Sequence, residues 1–120
     1  MIGLTVLVVE EEYLVAAEIE ATLLARGASQ VLMARNVHDL ATPAPPIDLA
    51  IIEAQLGAPA SIAFATSLRE AGVAVVVTSA DLAAASLFTG SVPLAKPFDD
   101  AALLAACEAA RRMGKAPAQV

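Results

Sequence analysis

The chain has 120 residues, of which 58% are hydrophobic and 17% charged, with a net charge of −6. That length and apolar content suit one domain with one buried core and exclude a disordered chain. The acidic balance repels phosphate backbones, so nucleic acid is excluded as a partner, while divalent cations or a basic protein surface remain compatible.

One cysteine, Cys107, leaves no intrachain disulfide and points to a reducing compartment. No basic segment precedes an apolar stretch at the N-terminus, and no run of about 18 apolar residues is free of charges or breakers. A cytoplasmic protein with no membrane span is therefore expected.

Five β-rich runs follow one another: Leu4–Val9, Gln30–Ala34, Asp48–Ile52, Val73–Thr78 and Val92–Ala95. None alternates cleanly between apolar and polar residues, which suits strands buried on both faces of a parallel sheet. Between them lie helical patterns. Glu12–Arg26 places Leu14, Ile19, Leu23 and Leu24 near one face and stops at Gly27. Val37–Ala41 is a short helix that halts before TPAPP, a proline loop. Ser61–Ala71 carries Ile62, Phe64, Ala65 and Leu68 and ends at Gly72. Asp81–Phe88 is short and almost wholly apolar. Asp99–Met113 opens on two acids and closes on Arg111 and Arg112, matching the helix dipole at both ends. Five βα units in strict alternation predict an α/β, doubly wound (βα)5 three-layer sandwich. Residues 1–113 form the expected single domain, with 114–120 (GKAPAQV) a frayed tail.

In such sheets, ligands bind beyond the carboxyl ends of the strands. Glu10, Glu11 and Glu12 follow the first run, Glu53 ends the third, Thr78 and Ser79 close the fourth, and Lys96-Pro97-Phe98 follows the fifth. Acids, a hydroxyl and a lysine thus gather at four strand ends. His38 reads as a solvent-facing helix residue rather than a relay site, Cys107 as a small core residue, and Tyr13 as packing the first turn beside the acids. Glu12 reads as a helix N-terminal acid, and Ser79 competes with Asp81 for the cap of the next helix. No GxGxxG, GxxxxGK[ST], Ser–His–Asp or His/Cys metal-ligand grouping occurs, so a conventional enzyme is the least expected reading.

VLVVEEE (6–12), DLAIIEAQLG (48–57), LREAGVAVVVTSA (68–80) and PLAKPF (93–98), in this order and spacing, resemble the receiver domain of two-component response regulators. The resemblance runs from about Leu4 to Arg112. It implies a flavodoxin-like, five-stranded parallel sheet of order 2-1-3-4-5. It also implies roles: Glu53 at the phospho-acceptor position, Ser79 as the switch hydroxyl, Lys96 as the site lysine, and a cis bond before Pro97. Glu10, Glu11, Glu53 and the backbone carbonyl of Gln55 would be the cation ligands, holding Mg²⁺, or Mn²⁺ or Ca²⁺, or no metal. Implied partners are a sensor histidine kinase or phosphotransfer protein, and a second copy through the fourth helix, fifth strand and fifth helix. No attached output domain is expected after the fifth helix, so output would pass through a partner.

Four departures set this chain apart from the pattern, one being a stretch from Ser79 to Lys96 that is short for the family, so a trimmed fourth helix is expected. The acceptor is glutamate rather than aspartate, Glu11 is glutamate where aspartate is usual, and Pro93 stands where many receivers keep a switch aromatic. One extra methylene lengthens a carboxylate by roughly 1.5 Å, and a misplacement of about 1 Å can cost about 100-fold in rate. From Glu53 the longer side chain reaches toward Lys96 or Ser79. Three converging glutamates would need compensation, one charge by Lys96 and the rest by a divalent cation or a proton on one glutamate, and divalent ions are expected to stabilise the fold. The leading expectation is a stand-alone pseudo-receiver that acts without phosphorylation. The alternatives are an active single-domain regulator and a receiver domain taken from a larger regulator.

Overall fold

Continuous runs of Val, Ile and Leu need cover on both faces, and the fold supplies it. The computed structural model describes residues 1–40 and 46–115. Its strands are β1 (Thr5–Val9), β2 (Gln30–Ala34), β3 (Leu49–Glu53), β4 (Ala74–Ser79) and β5 (Val92–Ala95). All pair in parallel, in the order β2-β1-β3-β4-β5. Every strand lies within one residue of its expected limits, and the sheet order is the flavodoxin-like one. The expected cis bond joins Lys96 to Pro97.

Register divides the strand residues between two cores. Val6, Val8, Leu49, Ile51, Val76 and Leu94 face one side, where α1 (Tyr13–Ala25) and α4 (Asp100–Lys115) contribute Ile19, Leu23, Leu103 and Cys107. Leu7, Val9, Ala50, Ile52, Val75 and Val77 face the other, beneath α2 (Pro59–Glu70) and α3 (Leu82–Ala85) with Ala65, Ala84 and Phe88. Each large side chain that is removed from water contributes about 1.5–3 kcal/mol. The central strands β1, β3 and β4 hold most of the fully buried ones.

The helices differ from expectation in instructive ways. In α1 the buried residues are Ala16, Ile19 and Leu23, while Leu14 is 74% and Leu24 47% exposed. The expected face was rotated, because Ala16 rather than Leu14 lets the helix approach the sheet closely. Tyr13 does not pack the first turn; it is 77% exposed. The helix ends as predicted: Gly27 takes φ +100°, and a Cβ there would press on Ile2.

The expected helix Val37–Ala41 is instead a single 3₁₀ turn, Val37–Asp39, capped by Asn36 Oδ1 accepting from His38 N at 2.9 Å. Leu40 is already extended, as suits a chain approaching prolines. Residues 41–45, which hold most of the proline loop, lie outside the described residues, as do 116–120 of the expected tail. α2 begins with Pro59 at its first position, where the missing N–H costs nothing. α3 keeps only four residues of the Asp81–Phe88 segment, capped by Asp81 Oδ1 accepting from Ala83 N at 2.9 Å.

β2 and β5 are the sheet's edges. β5 carries Pro93, and β2 exposes Gln30 and Met33. No helix of the described residues is long and apolar enough to cross a membrane.

Candidate functional site

Side-chain parity decides what meets at the carboxyl edge. Glu10 follows Val6 and Val8 on one face of β1, and its N–H still donates to Ala34 O at 3.0 Å, so it continues the strand. Glu53 follows Leu49 and Ile51 on the same face of β3. Lys96 follows Val92 and Leu94, with its N–H donating to Ser79 O at 2.9 Å. The three side chains therefore emerge on one side of the sheet and converge.

Lys96 Nζ lies 2.7 Å from Glu53 Oε2, to which it donates a hydrogen bond, and 2.8 Å from Glu10 Oε1. The Glu10 contact has ion-pair distance without hydrogen-bond direction, and that oxygen has no other partner. It is held by charge. The other Glu10 oxygen accepts from Glu12 N at 3.0 Å, which ties it to the start of α1. The side chain of Glu10 is 1% exposed, that of Lys96 15% and that of Glu53 21%. Burial is the largest single influence on the Lys96 pKa and lowers it. The two carboxylates beside it, Glu10 and Glu53, together outweigh burial and raise the pKa above its ordinary value.

The opposite parity sends other residues elsewhere. Ser79 follows Val75 and Val77 toward the α2–α3 side, and its hydroxyl is bound within its own turn. Oγ donates to Asp81 O at 2.7 Å and accepts from Asp81 N at 2.9 Å. Ser79 and Asp81 both help start α3, Ser79 by this turn and Asp81 by the cap. Of the two expected reaches for Glu53, the structure takes Lys96 and not Ser79. Glu11, one residue past Glu10, is exposed and borders a cavity together with Glu53.

Of Glu10, Glu11 and Glu53, the first and last are joined by Lys96, and Glu11 borders the adjoining cavity with Glu53. Among the described residues, no group of three or more His, Cys, Asp or Glu could hold a metal ion. A divalent cation is what the resemblance implies, and the donors as arranged do not fit one. Magnesium asks for oxygens at about 2.0–2.1 Å in near-octahedral array, and both carboxylates are already engaged by an ammonium. Gln55 lies in the 3₁₀ turn after β3 with φ +48°, and its side-chain Oε1 accepts from Ser61 Oγ at 3.4 Å.

Beside the triad lies a cavity of about 680 Å³, walled by Glu11, Glu53, Gln55 and Ser79 on one side and by Arg35, Asn36 and His38 on another. Of the last three, Arg35 and Asn36 were not singled out from the sequence, and His38 was weighed as a relay site and set aside. They directly follow β2, the one strand whose end was not considered, and the strand-end rule applied there would have found them. His38 is exposed, as expected. Cys107 is buried in the α1–α4 core, which pushes its thiol up to about 12.

No protein-family model matches the chain, and no curated protein sequence does. Solved structures do. A response regulator from Thermotoga maritima is 24% identical at TM-score 0.77, over 92% of this chain and 99% of that one. A response regulator receiver protein from Sinorhizobium medicae is 24% identical at TM-score 0.76, over 94% and 98%. The signal receiver domain of an HD domain-containing protein from Pseudomonas fluorescens is 20% identical at TM-score 0.74, over 95% and 98%. At these identities the likeness is one of fold: the chain has the fold of response regulator receiver domains.

Proposed function

We propose that the chain is a receiver-like signalling module that works through protein–protein contacts and has lost ordinary phosphorylation at the acceptor position. The observation that carries this reading is the 2.7 Å bond from Lys96 to Glu53 Oε2. The acceptor carboxylate is lengthened by a methylene and already tied to the ammonium that would otherwise meet an incoming phosphoryl group. A nucleophile must sit in line with its donor, so both features oppose transfer. The bound hydroxyl of Ser79 supports the same reading, since it is held in a turn rather than turned toward Glu53.

Output then passes through a partner of signalling type, such as a sensor histidine kinase or a phosphotransfer protein, in the cytoplasm. Leu82 and Leu87, 60% and 54% exposed in and just after α3, support contact on the α3–β5–α4 side, including contact with a second copy.

Incubation with a small acyl phosphate and Mg²⁺, read by intact mass, tests the proposal. No adduct is expected. A stoichiometric phosphoryl adduct that disappears in Glu53→Ala would overturn it and establish the active single-domain regulator instead.

A further inference from the structure

We propose that the cavity beside the triad binds a small zwitterion of net positive charge, a free basic amino acid. Its carboxylate is held at Arg35 and Asn36, and its side-chain cation at Glu53 and Glu11. The arrangement that carries this is a wall of donors after β2 facing a wall of acceptors after β1 and β3.

The volume of about 680 Å³ falls within the range of about 300–1,000 Å³ that small-molecule sites occupy. The polar groups of the walls are only partly spent within the protein. Asn36 uses Oδ1 to accept from His38 N at 2.9 Å, which leaves its amide N–H groups to donate. Glu53 uses Oε2 on Lys96 at 2.7 Å, which leaves Oε1 to accept. The Arg35 guanidinium and the Glu11 carboxylate make no ion pair among the described residues. β2 and β3 flank β1, so the ends that carry Arg35 and Glu53 stand two strand spacings apart, about 10 Å.

Charge selects among the ligands that could bridge that span. Four carboxylates border the cavity, those of Glu11, Asp39, Glu53 and Asp81, against one guanidinium. Glu10 and Lys96, which do not border it, offset each other. An anionic ligand is therefore repelled, while a ligand with no carboxylate leaves Arg35 without a counter-charge. An amino acid with an apolar side chain holds its two charges too close together to reach both walls. Free arginine or lysine has both charges, the length and the net positive charge, and its planar carboxylate suits the guanidinium fork of Arg35.

Titration of the full chain with free L-arginine and L-lysine in metal-free buffer, read by ¹H–¹⁵N amide shifts, tests the proposal. Saturable one-site binding is expected, with a Kd of about 1 mM or tighter and shifts centred on residues 35–38, 53–55 and 79–81. L-norleucine and L-glutamate should bind at least about tenfold more weakly. Arg35→Gln should weaken L-arginine at least about tenfold and leave cadaverine, a diamine without a carboxylate, unchanged. Glu11→Gln should weaken both. Arg35 and Glu11 are exposed, so neither variant disturbs the core. No saturation by about 10 mM, tenfold above the expected Kd, would overturn the proposal. So would shifts centred elsewhere, equal binding of L-norleucine, or an Arg35→Gln chain that binds L-arginine as the wild type does. Phosphoryl transfer is not read in this assay, so the signalling proposal and this one can fail separately.

Discussion

Substituting Lys96 by methionine keeps the length of the side chain and removes its charge. Glu10, 1% exposed, is then left in the interior with only the Glu12 N–H at 3.0 Å. Breaking a buried ion pair from one side costs about 3–5 kcal/mol. Lys96 is 15% exposed and Glu53 21%, so part of the pair is already wet, and a loss of about 2–4 kcal/mol is expected here. Glu53→Gln is a different matter. Lys96 stays paired with Glu10, and the altered group is the most solvated of the three, so the expected loss is about 1 kcal/mol or less. Adding Glu10→Gln to Lys96→Met removes the stranded charge and should recover about half of the loss. Equilibrium urea unfolding at pH 7 in metal-free buffer reads all four chains. Glu53→Gln as costly as Lys96→Met, or a Lys96→Met loss below about 1 kcal/mol, would show that Lys96 does not compensate a buried Glu10.

The Cys107 thiol, raised from 9.0 to about 12, stays protonated in the fold while the unfolded chain ionises. Its contribution is complete below pH 9 and is lost as pH climbs toward 12, by up to about 1.4 kcal/mol per unit. Lys96, also raised, loses its contribution in the same direction, above its ordinary value of 10.5. Urea midpoints from pH 7 upward should fall less steeply in Cys107→Ala, and equal slopes in the two chains would refute the burial argument.

Gly90 takes φ +81°, and a Cβ there would collide with the guanidinium of Arg69, which donates to Thr89 O at 2.8 Å. Gly90→Ala should cost about 1–2 kcal/mol from backbone strain alone. Arg69→Ala should cost less than about 1 kcal/mol, because that hydrogen bond is exposed. A neutral Gly90→Ala in thermal melts would contradict the strain.

Strands were legible because a buried parallel strand announces itself by composition alone: LTVLVV and VAVVVT have no solvent-facing residues to mislead. Helix α1 was legible in extent but not in orientation. YLVAAEIEATLLA carries apolar residues all round, so no stripe distinguishes Leu14 from Ile19, and the sheet chooses the side that presents Ala16. The second connection misled for another reason, since NVHDL has helical composition but too little length before the prolines to form more than one turn. At the site, proximity to strand ends was readable and direction was not. Neighbours such as Thr78 and Ser79 lie on opposite faces, and the face of each run is set by register with its neighbours. Once register is known, the meeting of Glu10, Glu53 and Lys96 follows from counting in twos.

The two rims of the sheet are unequal. Pro93 leaves β5 without one backbone donor, and a proline in an outer strand spoils it as a template for a further strand. β2 has neither proline nor charge in Gln-Val-Leu-Met-Ala, and among the described residues it pairs only with β1. Sheet extension by a foreign strand is thereby directed to the β2 rim, so concentrated protein is best protected by a lysine at Met33, already 41% exposed.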